Sequence, residues 1–215
     1  MKSIKIYNNL QKLGLNYHTD KSTTHNYKGT TYMQVYDFYL HHRMCEKLNV
    51  LEFGILHGSS LRAFRDYLMF STIVGLDIDP ATKIVGENRI DTYIGSQEDE
   101  NVKKMLEKKY SKFDVILDDA SHINELSIKT FNLYWDLLND DGLYIIEDIS
   151  ATSGDYSDTR EVWPGQKYNR EDLKLYNNYT DFQAFYLDLI KKCQEQTHNI
   201  FSVHLYPQMM VILKN

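Results

Sequence analysis

The sequence predicts a single α/β domain in which a mostly parallel sheet ends in an antiparallel hairpin. Apolar runs typical of strands alternate with helix-like periodic segments from about residue 49 to 148, which is the pattern of successive βαβ units. Two further apolar runs, 200–206 and 208–213, are joined only at Pro207, and so short a link cannot form the crossover that a parallel pair needs. The last two strands are therefore predicted to be antiparallel to each other.

The individual strands and helices follow from local hydrophobic patterns. The parallel strands are predicted at 49–53, 72–77, 91–94, 113–118 and 142–147. Apolar residues at a spacing of three or four mark the intervening helices, namely Leu61, Phe64 and Leu68; Val102, Met105 and Leu106; and Ile128, Phe131, Trp135 and Leu138. A last helical pattern covers 181–193. Right-handed crossovers then place helices on both faces of the sheet.

The chain divides into consecutive parts of this one domain. Residues 1–48 are predicted to form an N-terminal helical cap with a helix over 33–48, followed by a ligand-binding core at 49–149 and a final helix and hairpin at 179–215. The remaining part, 150–178, is polar and aperiodic and directly follows an acidic strand end, which favours a substrate lid over a disordered insertion. Its residues Tyr156, Trp163 and Tyr168 either stack on a substrate ring or pack the loop down.

Composition argues against several classes of protein. The net charge of −6, without long basic blocks, argues against a nucleic acid as the partner, and no apolar run approaches the ~20 residues of a membrane span. No apolar core follows the first residues, so no export signal is visible. Cys45 and Cys193 have neither metal-ligand nor redox spacing, which suits a reducing compartment. We therefore expect a cytoplasmic protein without a membrane span.

A glycine-containing turn after the first strand has the character of a cofactor site. Gly54 and Gly58 let the backbone approach a ligand closely, and the serines that follow can cap the next helix. Leu56 stands at the second glycine position of the dinucleotide-binding motif, so that motif is absent. Asp77 ends the neighbouring strand, where a carboxylate can accept both hydroxyls of a ribose. The alternative interpretation is a plain strand-to-helix turn.

Acidic residues follow two other predicted strands. Asp119 and His122 come after one, and Glu147 and Asp148 after the next, so the carboxyl ends of the sheet bring them to one crevice. Hard oxygen ligands suit Mg²⁺, and a histidine with a pKa of ~6.5 can remove a proton near neutral pH. The alternative makes His122 a helix-terminal polar residue and the two acids of the second strand a solvated strand end. The four residues together favour a metal site with a base.

The glycine turn resembles a known cofactor motif. Glu52-x-Gly54-x-x-x-Gly58 followed by Asp77 resembles the motif of class I methyltransferases that use S-adenosylmethionine (SAM), and the terminal hairpin resembles a signature of that fold. The resemblance covers about residues 49 to 215 and implies a Rossmann-like sheet of seven strands.

That resemblance also implies which residues contact SAM. Gly54 and Gly58 would lie against the methionine part, Asp77 would hold the ribose, and Gln97 or Asp118 would lie near the adenine or the sulfonium. The full set of implied cofactor residues in the core is Glu52, Gly54, Gly58, Ser59, Asp77, Gln97 and Asp118.

A nearer resemblance is to the metal-dependent macrolide (mycinamicin-type) sugar O-methyltransferases and the rhamnosyl O-methyltransferase and cephalosporin-hydroxylase-like family. The segments that carry it are the Asp20-Lys21 run, 32–36, Ser60-Leu61-Arg62, Asp119-Ala120-Ser121-His122 and Glu147-Asp148. By this resemblance Asp119, Glu147 and Asp148 bind Mg²⁺, His122 is the general base, and Tyr32 or Tyr36 closes over SAM. Two departures are Ala120, where the family usually has glycine, and the lack of the extra N-terminal domain of the macrolide enzymes.

The resemblance implies a SAM- and Mg²⁺-dependent O-methyltransferase in which Asp119 and His122 are catalytic. Its acceptor would be a sugar hydroxyl of a surface polysaccharide or a glycosylated metabolite, and whether it forms a homo-oligomer stays open. Two alternatives are a catechol-type metal-dependent methyltransferase, whose usual Asp-Asn pattern Glu147-Asp148 does not match, and a non-catalytic module that binds SAM or a sugar.

Overall fold

The structure, a computed structural model, describes residues 9–23, 29–149 and 179–215 and contains a seven-stranded sheet in the order β3-β2-β1-β4-β5-β7-β6. Its strands are β1 (Asn49–Phe53), β2 (Thr72–Asp77), β3 (Ile90–Ile94), β4 (Phe113–Asp118), β5 (Leu138–Glu147), β6 (Ile200–Tyr206) and β7 (Met209–Lys214). The first five are parallel, and β7 pairs antiparallel with both β5 and β6. The predicted mostly parallel sheet with a reversed C-terminal hairpin is confirmed.

Strand bounds differ from the predicted ones mainly in the second half of the sheet. β5 begins at Leu138, before the predicted 142, because its first residues pair with β4 across a register shift. Gly142 lies in this irregular part, where an added Cβ would be 2.6 Å from the carbonyl oxygen of Asn139. Gln208 belongs to the hairpin turn instead of the last strand, with a φ of +63°.

The described helices are α1 (Leu10–Asn16), α2 (Tyr32–Leu40), α3 (Ser59–Tyr67), α4 (Glu100–Tyr110), α5 (Asn124–Tyr134) and α6 (Tyr179–Gln194). The Thr31 side chain accepts from the Gln34 backbone, and the Gln34 side chain accepts from the Thr31 N–H, so α2 begins with a capping box. α2 ends at Leu40 instead of reaching the predicted 48. The Nδ1 of His41 lies 3.1 Å from each of the last-turn carbonyl oxygens of Asp37 and Phe38, which satisfies the helix end.

Helices cover both faces of the sheet and bury a core on each. One core joins α1, α2 and α3 to the sheet and contains Leu10, Tyr36 and Phe64, all fully buried. The other joins α4, α5 and α6 to the opposite face, with Leu106 and Leu189 fully buried. Because both faces are covered, the ligand crevice must lie at the carboxyl ends of the strands.

Two further expectations from the sequence concern a membrane span and the substrate lid. Within the described ranges, no helix has the length and apolarity that a membrane span needs. Segment 150–178, with Tyr156, Trp163 and Tyr168, lies outside the described residues. The substrate lid therefore stays a prediction.

Candidate functional site

A cavity of about 950 Å³ opens at the carboxyl ends of the strands. Its walls come from residues 18–21, the turns after β1, β2, β3 and β4, the residue after β5 and the hairpin turn at Gln208, and they include Gly54, Asp77, Gln97, Asp119, His122 and Asp148. This volume lies in the range of sites that hold a cofactor or a small ligand. The predicted cofactor turn and the predicted acid cluster thus meet in one cavity.

Gly54 connects the glycine turn to the acid cluster. Its φ is +91°, and its N–H donates to the carbonyl oxygen of Leu76. An added Cβ would lie 2.2 Å from the carbonyl oxygen of Asp119, closer than any side chain permits. Only glycine meets both requirements, because L residues are strained at this φ and the neighbour is backbone.

Asp77 orders the glycine turn through its side chain. Its Oδ2 accepts from the backbone N–H groups of Ile55 at 2.7 Å and Leu56 at 3.3 Å, and its Oδ1 accepts from the Asp79 N–H at 2.9 Å. The carboxylate also lines the cavity. Its predicted hydrogen bonds to a ribose stay a prediction.

Gly58 has a packing role that the motif did not predict. It precedes α3 with a φ of +68°, and an added Cβ would lie 2.3 Å from the Cδ1 of Ile84. It is not among the residues that line the cavity, and its predicted contact with the methionine part of SAM stays a prediction. The next residue, Ser59, does line the cavity.

Asp118 is not among the residues that line the cavity, and its predicted place near the cofactor stays a prediction. Its side chain is buried, and its Oδ1 accepts from the Nε2 of Gln97 at 3.3 Å. Gln97 itself lines the cavity and also donates to the hydroxyl of Thr130 at 2.7 Å. Burial raises the pKa of Asp118 to about 6. Asp118 therefore acts on the cavity through Gln97.

The acid end contains a compact group of possible metal ligands. Ligand atoms of Asp119, His122 and Asp148 all lie within 4.8 Å of one another. The Nε2 of His122 is 3.9 Å from the Oδ1 of Asp119 and 3.8 Å from the Oδ2 of Asp148. The two carboxylates fit a hard divalent cation, and the imidazole lies beside them. His122 and Asp148 both have a φ of +53°, an uncommon conformation that aims their side chains at this point.

Glu147 lies outside this group, in contrast to its predicted place among the ligands. Its Oε2 accepts from the Nζ of Lys21 at 2.7 Å, and its Oε1 accepts from the hydroxyl of Tyr36. Burial and then repulsion from Asp119 raise the pKa of Glu147 well above its ordinary value. The geometry separates Glu147 from the other acids because both of its oxygens already have donors, so its role as a ligand stays a prediction.

Lys21 belongs to a run that carries the family resemblance, but the sequence assigns it no role at the site. Its side chain is only 3% exposed, and its Nζ forms ion pairs with Asp119, with Glu147 and, at 3.7 Å, with Glu52. Burial alone lowers the pKa of Lys21, but attraction to these three carboxylates outweighs it and raises the pKa well above its ordinary value. No pattern in the polar run around Lys21 indicates burial.

Glu52 sits at the junction of the two ends of the site. It is fully buried, accepts from the hydroxyl of Ser60 at 2.8 Å, and lines the cavity. Burial raises the pKa of Glu52 to about 7, although Lys21 and Ser60 pull it down.

The phenols of Tyr32 and Tyr36 donate to two of the acids, and the closing of one of them over the cofactor stays a prediction. The hydroxyl of Tyr32 donates to the Oδ1 of Asp148 at 2.8 Å, and that of Tyr36 donates to Glu147. Neither tyrosine is among the residues that line the cavity. Burial is the largest cause that raises the pKa of both phenols, so they remain protonated donors.

Comparison with known proteins gives sequence relatives of one kind. A demethylmacrocin O-methyltransferase from Streptomyces fradiae is 35% identical over 137 residues, which are 60% of this chain and 32% of that protein. A mycinamicin VI 2''-O-methyltransferase from Micromonospora griseorubida is 32% identical over 137 residues, with the same two coverages. An 8-demethyl-8-alpha-L-rhamnosyl tetracenomycin-C 2'-O-methyltransferase from Streptomyces olivaceus is 27% identical over 95% of this chain and 54% of that protein. The chain spans about a third to a half of the length of these relatives. No protein-family model matches the chain.

Solved structures agree with the sequence relatives. The MycE methyltransferase from the mycinamycin biosynthetic pathway, in complex with Mg and SAH, superposes with a TM-score of 0.73 at 26% identity and covers 96% of this chain and 55% of that one. A putative caffeoyl-CoA O-methyltransferase from Staphylococcus aureus, at 17% identity and a TM-score of 0.60 over 94% of this chain and 92% of its own, shows the same fold. The chain therefore has the class I methyltransferase fold, and its sequence relatives are sugar O-methyltransferases of the macrolide and rhamnosyl type, as the resemblance in the sequence predicts.

Proposed function

We propose that this protein is a SAM- and Mg²⁺-dependent O-methyltransferase whose acceptor is a sugar hydroxyl. The observation that carries the proposal is the meeting of two sites in one cavity, the glycine turn with Asp77 on one side and the group of Asp119, His122 and Asp148 on the other. A methyl donor and a hydroxyl acceptor must lie side by side for direct transfer, and this arrangement provides for both.

The residues at the glycine end suit a methyl donor with a nucleoside part. The Asp77 carboxylate faces the cavity with acceptor capacity beyond its backbone bonds, and Gln97 lines the next part of the wall. The MycE methyltransferase, which matches the fold at 26% identity, is described in complex with Mg and SAH. We infer that SAM binds along this wall with its methyl group directed at the acid end.

The residues at the acid end suit deprotonation of a hydroxyl. Asp119 and Asp148 would hold the cation, and a cation there would lower the pKa of a bound hydroxyl. His122 is 3.8 to 3.9 Å from both carboxylates and is placed to accept the proton at Nε2. The oxygen then forms a bond to the methyl carbon while the carbon–sulfur bond breaks, so the donor leaves as S-adenosylhomocysteine (SAH) and the proton stays on His122.

The acceptor class rests on the relatives. Those reported above are methyltransferases named for a mycinamicin, a macrocin and a rhamnosyl tetracenomycin, and two of the names specify a sugar-type 2' or 2'' position. We infer a glycosylated metabolite or a surface polysaccharide as the carrier of the sugar. The compartment in which this happens is expected to be the cytoplasm.

Transfer of a tritiated methyl group from SAM to a panel of rhamnosides, macrolide glycosides and catechols tests the proposal. We expect a sugar to be labelled, the labelling to stop with EDTA and return with Mg²⁺, and His122→Ala to lose about 10²–10⁴-fold in rate with SAH binding unchanged. His41→Ala, on the surface at the end of α2, is the matched control.

Each part of the proposal can fail separately. Calorimetry without SAH binding would remove the methyl donor, and labelling that is insensitive to EDTA would remove the cation. Labelling confined to catechols would replace the sugar with an aromatic diol, and an unchanged rate of His122→Ala would remove the base.

A further inference from the structure

Lys21 is placed where the ligands of a cation converge, yet it belongs to the N-terminal part of the chain. It lies in a 3₁₀ turn, Asp20–Ser22, far from β4 and β5 in sequence. Its Nζ lies among Glu52, Asp119 and Glu147, each from a different strand end. Burying a lysine is costly unless it is paired, so this position has a specific cause.

The turn that carries Lys21 is fixed by close packing against α1. An added Cβ on Gly14 would be 2.0 Å from the Oγ of Ser22, and the Thr19 N–H donates to the carbonyl oxygen of Gly14 at 3.0 Å. The Nε2 of Gln11 also donates to the carbonyl oxygen of Ser22 at 3.0 Å. Lys21 therefore extends from a rigid base, and its ammonium can act as a fixed point.

The contacts of Lys21 divide the two oxygens of Asp119 between two tasks. Oδ2 pairs with Lys21, while Oδ1 faces the Nε2 of His122 at 3.9 Å. A carboxylate that was held by no donor could rotate about its Cβ–Cγ bond and present either oxygen. The ion pair thus selects the orientation in which one defined oxygen faces the proposed cation and base.

A second buried lysine shows what distinguishes Lys21. Lys214 is 7% exposed, but its Nζ donates to the backbone carbonyl oxygens of Trp135 and Leu138, at 3.0 and 2.8 Å. It therefore satisfies backbone groups without ordering any carboxylate of the site. Both lysines are buried and charged, but Lys21 pairs with carboxylates, whereas Lys214 donates to backbone carbonyl oxygens.

We propose that Lys21 is a positioning residue of the proposed reaction: it fixes the carboxylate of Asp119, and with it that of Glu147, so that the cation site is preformed. This inference rests on the proposed function, because the cation is part of it. Lys21 acts through Asp119 and does not itself take a proton from the acceptor. Partners that orient ligands typically contribute about 10–100-fold to the affinity for a metal.

Calorimetric titration with Mn²⁺, as a probe of the cation site, tests the inference without an activity assay. We expect Lys21→Met to weaken Mn²⁺ binding about 10–100-fold and to leave SAH binding within about 2-fold of the wild type. Lys21→Arg, which keeps a charged donor for two carboxylates, should recover most of the lost affinity. Lys214→Met is the matched control and should change neither affinity.

The outcomes separate this inference from the proposed function. A wild type that binds no Mn²⁺ would overturn the cation of the proposed function and the role of Lys21 with it. A wild type that binds Mn²⁺ beside a Lys21→Met variant that binds it equally well or more tightly would overturn the role of Lys21 alone, because its charge would then merely compete with the cation. Circular dichroism verifies folding, and Lys21→Gln replaces Lys21→Met under the same criterion if the latter does not fold.

Discussion

The two ends of the cavity are built in different ways. At the glycine end, the contacts that shape the site are local: Asp77 accepts from Ile55 and Leu56, which lie 22 and 21 residues away in the sequence. At the acid end, the carboxylates are held by Lys21, Tyr32 and Tyr36, across 98 to 126 residues. The first end is a property of one βαβ unit, whereas the second exists only once the N-terminal part has packed onto the sheet.

The difference also concerns charge. The glycine end satisfies one carboxylate with backbone N–H groups, which cannot change their protonation. The acid end places Glu52, Asp119 and Glu147 around the ammonium of Lys21, so the protonation of each side chain depends on the others. We therefore expect a change of the Asp77 side chain to have local effects and changes at the acid end to spread, whereas Gly54 contacts both ends.

Gly54→Ala should break both ends at once and give the largest loss of stability. The new Cβ would meet the Asp119 carbonyl oxygen at 2.2 Å, at a φ of +91° that alanine tolerates poorly. We expect a loss of more than about 3 kcal/mol in the free energy of unfolding, measured by urea denaturation. Gly86→Ala is the control, since it has a φ of +79° with no atom within 4 Å and should lose only about 1 kcal/mol. Equal losses in the free energy of unfolding of both variants would mean that the close approach of Gly54 to the Asp119 backbone does not affect stability.

Glu52→Gln should reveal the charge coupling of the acid end through pH. The pKa of Glu52 is raised from 4.5 to about 7, so the folded state favours the protonated carboxyl. The free energy of unfolding of the wild type therefore falls as the pH rises from about 4.5 to 7 and Glu52 ionises. Glutamine does not ionise. The free energy of unfolding of the variant, relative to the wild type, should therefore rise across this window by about 3 kcal/mol and stay constant below it.

Urea titrations from pH 4 to pH 8 measure this difference. Glu87→Gln is a control of opposite sign, because hydrogen bonds from Arg62 lower the pKa of Glu87 and its ionised form stabilises the protein. That variant should be less stable than the wild type by a constant amount above about pH 5, and the difference should shrink as the pH falls below about 4.5. A Glu52→Gln curve parallel to that of the wild type would contradict the raised pKa of Glu52.

Asp77→Asn should have the smallest effect, confined to the glycine end. Loss of the charge at the predicted ribose contact should weaken SAH binding about 10–100-fold, since a hydrogen bond to a charged group contributes about 1.5–3 kcal/mol. Mn²⁺ binding should stay unchanged, because the acid end has its own supports. Calorimetry measures both, with Asp99→Asn as the control, whose side chain caps α4 by accepting from Asn101 at 2.8 Å. A drop in Mn²⁺ affinity would show that the two ends are not independent.

The sequence predicts the glycine end better than the acid end, and the reason is physical. Strand bounds, the turn at Gly54 and the strand-end position of Asp77 follow from local periodicity and steric rules. The acids Asp119, Glu147 and Asp148 are also identified, since strand ends converge in this type of sheet. Whether a given acid faces the cavity or a hydrogen-bond donor depends on side chains from distant parts of the sequence. Hydrophobic patterns do not show which distant side chains pack beside an acid.

Four residues illustrate this limit. Tyr32 and Tyr36 are found by resemblance, but the cavity wall contains neither, because each phenol reaches a carboxylate. Lys21 lies in a polar run, although its side chain is only 3% exposed. Glu147 accepts from Lys21 and Tyr36 and lies apart from the grouped ligand atoms of Asp119, His122 and Asp148. Each of these contacts joins residues that are far apart in the sequence.

The sequence separation of these partners also affects how the protein folds. Contacts across 98 to 126 residues form late, because closing a long loop costs chain entropy before any contact repays it. The parallel core can pair its strands while the carboxylates of Glu52, Asp119 and Glu147 still face water. The segment with Lys21 then packs onto the sheet and buries these carboxylates. The acid end therefore forms at completion of the native state, and amide protection of the Asp20–Ser22 turn would report the fraction of molecules that are competent to act.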